Sequence, residues 1–214
     1  MSIELIVNLI QIVALCLCMA YAIYQTSVRQ SRKWLLYALL TAAFVLGDLW
    51  WILYLALYDQ TFNSMIPSIS WAAVFIFLII LLPECEDKAK DMTDTRVLWL
   101  IPVFTGGMCI YYMQFGSYLS NIIDMVLMTL IMWNALKGGL LFRRGVPTEE
   151  IATEGSSKGI FQAAMMYCLF EYAMWTISCL SYDNPLRSLY YVFDVLVTVS
   201  IMMFIPALRK AERE

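Results

Sequence analysis

Four carboxylic acids stand inside long apolar stretches of this sequence: Asp48, Asp124, Glu171 and Asp194. An ionised side chain at the centre of a bilayer costs roughly 2.5–3.5 kcal/mol on insertion scales, so an acid at that depth faces a bundle interior and is a functional candidate. Three of them have an aromatic residue at helical spacing. Trp51 lies three residues after Asp48, Trp175 four after Glu171, and Tyr190 four before Asp194. Residues three or four apart share a helix face, so each of these acids has an aromatic neighbour on its own helix. Lys and Arg occur only at the ends of the same stretches and leave the acids without a buried counter-charge. Such carboxyls are suited to exchanging protons or accepting a cation, and Trp and Tyr faces add cation–π attraction for an organic cation.

Counted from the outer ends at ~1.5 Å per residue, Asp48 and Glu171 lie roughly 15 Å deep, Asp194 roughly 12 Å and Asp124 roughly 9 Å. One outward-opening cavity could hold all four. Asn8, Gln11 and Asn121 fall at its shallow end, and Trp71 and Tyr191 are candidates for its wall. For Asp124, closest to the interface, a protonated carboxyl bonded to a neighbouring helix is an equal reading. Trp50, Trp99 and the Tyr111-Tyr112 pair are expected as packing or interfacial belt residues. No catalytic residue is nominated. The chain has no histidine and no paired-cysteine spacing, so no metal site is expected. Cys16, Cys18, Cys109, Cys168 and Cys179 lie in apolar runs and Cys85 in a charged loop, which suits free thiols packed as small hydrophobes.

The elements that position these residues are apolar runs of about 18–23 residues, each long enough for a ~30 Å hydrocarbon core. They fall near 3–26, 34–57, 66–83, 97–115, 118–137, 159–181 and 186–208, with Pro83 and Pro206 closing the third and the seventh. With 62% hydrophobic and 14% charged residues in 214, the chain is an all-α, multi-pass membrane protein of one domain, 1–214. No segment alternates apolar and polar residues, which excludes a β-barrel. Thirteen of the fourteen basic residues fall in alternate breaks between runs or after the last one, Arg187 being the exception. Positive residues are retained inside, so the N-terminus is expected outside and the C-terminus in the cytoplasm, at the plasma membrane. Met1-Ser-Ile-Glu lacks a basic signal-peptide region, so the first run is expected as a retained helix. Residues 138–158, rich in Gly and charge, predict a flexible cytoplasmic loop, and 84–96 a solvated connection.

Asn8–Ala22 can be laid on Asn121–Ala135, and Trp51 with Tyr58-Asp59 is answered by Trp175 with Tyr182-Asp183 at the same spacing. The halves, about 3–83 and 118–208, therefore form a parallel repeat of two three-helix units joined by a linking helix near 97–115. This three-plus-one-plus-three plan resembles the transporter-opsin-receptor group: the SWEET and PQ-loop transporters, the PnuC-type transporters and the microbial rhodopsins. No Pro-Gln dipeptide occurs, and the seventh run has no lysine within Tyr190–Pro206, so neither the PQ-loop signature nor retinal is expected, nor any other cofactor. The resemblance and the acids predict a transporter or facilitator for a small polar or cationic metabolite, with proton coupling as an option. A receptor-like ligand-binding protein and an intramembrane hydrolase using paired carboxyls stand beside it. The partners expected are the lipid bilayer and a small-molecule ligand, not nucleic acid. A homo-oligomer is compatible with the sequence.

Overall fold

The computed structural model describes residues 3–57, 65–86, 96–141, 157–180 and 187–212. Among these residues there is no strand, and the apolar runs are helices: α1 (Ile3–Arg29), α2 (Arg32–Leu57), α3 (Met65–Glu84), α4 (Leu100–Tyr112), α5 (Tyr118–Leu141), α6 (Lys158–Leu180), α7 (Arg187–Met202) and α8 (Phe204–Ala211). A 3₁₀ turn, Arg96–Trp99, leads into α4. Pro102 accounts for it: proline has no N–H for the Leu98 carbonyl and its ring crowds that oxygen, so the entry winds more tightly. Six helical stretches are long and apolar enough to cross a membrane, the last being Leu189–Ala211; Arg96–Tyr112 is shorter.

The chain packs as two compact units, Met1–Leu81 and Leu82–Glu214. In the first, α1 and α2 form a hairpin whose turn is only Gln30-Ser31. Gln30 takes φ 51°, and its N–H closes α1 on the Thr26 carbonyl at 2.8 Å. This left-handed cap ends a helix sharply, as a glycine would. The hairpin core holds Leu15, Cys18 and Ala22 of α1 against Trp34 and Tyr37 of α2, and Tyr21 meets Trp34 edge-on at 5.6 Å. Gly47 lets α3 approach α2. A Cβ there would stand 2.9 Å from the Trp71 Nε1, one residue before Asp48.

In the second unit, α6 is the central element, packing on α5 and α7, while α4 packs on α5. Its buried face carries Phe161, Ala164, Tyr167, Cys168, Glu171 and Tyr172. All six cysteines are free thiols, and Cys18, Cys85, Cys109 and Cys168 are buried.

Most helix ends fall within three residues of the sequence reading, and two boundaries differ by more or in kind. The seventh run is not one helix closed by Pro206: it breaks at Met203 into α7 and α8, with Pro206 inside the latter. Pro206 cannot donate to the carbonyl of Met202, four residues before it, so α7 ends at Met202 and the break falls at Met203. Residues 138–141 are not loop but the last turn of α5, and the loop reading otherwise falls on 142–156, outside the described residues, as do Tyr58, Asp59, Tyr182 and Asp183. Packing overrides glycine's poor helix propensity here. A Cβ on Gly138 would run into the ring of buried Phe161, whereas Gly139 has nothing within 4 Å. Gly138→Ala is therefore expected to lower stability by ~1–3 kcal/mol through overpacking. Gly139→Ala is expected to leave it unchanged or raise it by up to about 1 kcal/mol. Thermal unfolding of the two variants in one detergent checks the order.

Candidate ligand-binding site

Helices α4, α5 and α6 are tied together by polar side chains that an apolar stretch carries only at a cost. The Thr105 hydroxyl of α4 meets the Thr129 hydroxyl of α5 at 2.6 Å. The Asn121 Nδ2 donates to the Tyr112 carbonyl at 2.9 Å, satisfying one of the last carbonyls of α4, which have no partner inside their own helix. Between α4 and α6, three oxygens form a triangle. The Tyr112 hydroxyl lies 2.9 Å from the Tyr172 carbonyl and 2.8 Å from the Thr176 hydroxyl, which itself donates to the Tyr172 carbonyl at 2.7 Å. Interhelical bonds of this kind are worth about 0.6 kcal/mol each on average in a membrane, and their geometry sets which faces meet.

Where these bonds converge, aromatic rings form a corner. Tyr112 and Tyr172 stack with centroids 6.3 Å apart and planes 7° from parallel. Trp175 stands edge-on to both, at 6.1 Å from Tyr112 and 5.7 Å from Tyr172. Phe104 backs Tyr172 at 5.4 Å. A small, partly open recess with a closed volume of about 10 Å³ lies against this corner, lined by Cys109, Tyr112, Asn121, Asp124, Met125, Tyr172 and Trp175. Asp124 makes no ion pair or side-chain hydrogen bond among the described residues. Tyr172 is 4% exposed, and its hydroxyl has no hydrogen-bond partner among the described residues. A buried polar group without a partner costs about 1–3 kcal/mol, so an unpartnered hydroxyl on a residue of the lining, together with a carboxylate there, points to a ligand.

The recess gathers three of the residues singled out in the sequence: Asn121, Asp124 and Trp175. Glu171 is buried behind it, bonded to Tyr167 and within electrostatic range of Asp124 and Asp194, but it does not line the recess. Tyr191 and Asp194 are half-buried on α7. In the first unit Gln11 is buried, and Asn8, Asp48, Trp51 and Trp71 are half-buried. Tyr112 is packed in the core, as expected, and also forms a wall of the recess. Tyr172 was passed over altogether, although it stands three residues before Trp175, the spacing that marked the other pairs.

No protein-family model, curated protein or solved structure matches the chain. The functional reading therefore rests on the recess itself.

The two tyrosines predict opposite outcomes. Tyr112→Phe removes the hydroxyl that joins α4 to α6 and is expected to cost ~0.5–1.5 kcal/mol. Tyr172→Phe removes a buried hydroxyl that bonds to nothing among the described residues and is expected to be neutral or to stabilise by about 1 kcal/mol. Melting temperatures of the two variants without added solute check this, and a Tyr172→Phe protein less stable than Tyr112→Phe contradicts it.

Proposed function

We propose that this chain is a transporter or facilitator that binds a small polar or cationic solute in the recess between α4, α5 and α6. Six helical stretches apolar enough to span a membrane support the multi-pass reading. The segment Arg96–Tyr112 supplies the seventh span. Its four 3₁₀ residues rise ~2.0 Å each and its thirteen α-helical residues ~1.5 Å each, which together reach about 28 Å, close to the ~30 Å hydrocarbon core. Seven spans with the basic residues on one side give an outside N-terminus and a cytoplasmic C-terminus, in the three-plus-one-plus-three arrangement.

The observation that carries the reading is the pairing of a carboxylate, Asp124, with the unsatisfied Tyr172 hydroxyl in a recess walled by aromatic rings. Packing alone gains nothing from either group, whereas a bound solute uses both. Uptake into proteoliposomes is the direct test. Removing a charge-assisted contact weakens an interaction by ~1.5–3 kcal/mol, so Asp124→Asn is expected to lower uptake about tenfold or more at a fixed solute concentration. Unchanged uptake in that variant contradicts the assignment, and binding that Asp124→Asn abolishes without any flux in the native protein favours a receptor-like role. Orientation has its own check: a fluorescent reporter fused after Glu214 is expected to mature in the cytoplasm, and a phosphatase reporter at the same point to be inactive.

A further inference from the structure

Charge, size and hydrogen-bonding capacity of the recess narrow the solute further, on the reading that the recess is the binding site. The only ionisable side chain in its lining that carries charge at neutral pH in water is a carboxylate, Asp124. The described basic residues of the same unit are Arg96, Lys158, Arg187, Arg209 and Lys210, in the end turns of their helices, and Lys137, one turn from the end of α5 and engaged with Glu86 at 2.7 Å; none lines the recess. An anion, or a zwitterion presenting its own carboxylate, therefore meets a like charge with no cation among the described lining residues to offset it. A monovalent cation meets Asp124 and the electron-rich faces of Tyr112, Tyr172 and Trp175. These rings touch one another, so the cation sits on the recess side of the corner and not between stacked rings.

Size sets the next limit. The recess has closed room of only about 10 Å³, little more than one water-sized group, so a small charged head enters it and any larger part of the solute stays at its mouth. Hydrogen bonding sets the last. The Tyr172 oxygen is an acceptor without a donor among the described residues, and Asp124 is acceptor-only when ionised. A cation that carries N–H groups can donate to both oxygens, which a cation without N–H cannot.

We infer that the recess selects a small primary ammonium cation, such as a short alkylammonium, held by Asp124, by the Tyr172 hydroxyl oxygen and by the faces of Tyr112 and Trp175. One N–H donates to the Asp124 carboxylate and another to the Tyr172 Oη, while the alkyl part lies against the rings. A quaternary ammonium of similar size keeps the charge and the ring contacts but has no N–H for Tyr172.

Calorimetric titration of the full chain in detergent, with methylammonium, ethylammonium, tetramethylammonium, neutral tert-butanol and acetate, tests this. The primary ammonium ions are expected to bind, and tert-butanol and acetate not to. Asp124→Asn is expected to weaken ammonium binding about 10–100-fold, and Asp124→Glu to recover most of it. Tyr172→Phe, whose unliganded fold is expected to be at least as stable, weakens the primary ammonium ions about 5–10-fold and leaves tetramethylammonium unaffected. Trp175→Leu weakens both kinds of cation about 2–10-fold. If tert-butanol or acetate binds and Trp175→Leu abolishes it while ammonium ions do not bind, the ammonium assignment is overturned and the recess stands as a site for another solute. Equal loss of tetramethylammonium and methylammonium in Tyr172→Phe overturns the N–H contact. If no probe of any charge binds, the recess reading falls together with the inference.

Discussion

The hydrocarbon core of a membrane contains no water to complete a hydrogen bond, so every polar group placed there must find its partner on the chain. The helices satisfy the backbone, and the hydroxyls turn back on their own helices. Thr26 bonds the Ala22 carbonyl, Thr41 that of Tyr37, Thr105 that of Ile101, Thr129 that of Met125 and Thr198 that of Asp194. Ser27 and Ser200 do the same. Local bonds of this kind make a Ser or Thr inexpensive in lipid and leave no residual demand for a ligand. Tyr cannot use this device, because its hydroxyl is too far from its own backbone. Tyr112 solves the problem by reaching across to α6, and the hydroxyl of Tyr172 has no such solution among the described residues.

The acids follow the same constraint by different routes. Glu171 is taken up by Tyr167 inside the packed face of α6. Asp124, with its side chain in the recess, is open to a solute. The acid judged most readily structural in the sequence is thus the one that lines the candidate site, and the more deeply placed Glu171 does not. Depth along the bilayer normal measures the cost of a charge, but it says nothing of which face of the helix carries it.

Helix positions were legible because a run such as 159–181 is apolar over its whole length and bounded by charge, leaving a residue or two of freedom at either end. The break in the seventh run was also written in the sequence, as Pro206. Its effect appears four residues upstream, at the carbonyl that loses its donor, so placing the helix end at the proline itself misread the chemistry. Gly138-Gly139 read as loop because glycine is a poor helix former in isolation. The reason for Gly138, the ring of Phe161 in another helix, is invisible without the tertiary contact. The recess was half legible for the same reason. Asn121, Asp124 and Trp175 stood out as polar or aromatic residues in apolar surroundings, but pairing each acid with an aromatic on its own helix missed a site assembled across three helices. Tyr112 and Trp175 meet Asp124 only because α4, α5 and α6 pack together.

The ring corner also bears on how strongly so small a recess can hold anything. Each wall is already immobilised by the fold: Tyr112 by its bonds to the Tyr172 carbonyl and Thr176, Tyr172 by Phe104 and the stack, Trp175 by both tyrosines. The rotational entropy of these three side chains is surrendered when the helices assemble, not when a solute arrives. Binding then orders little beyond the solute itself, and most of what a few contacts yield is retained as affinity.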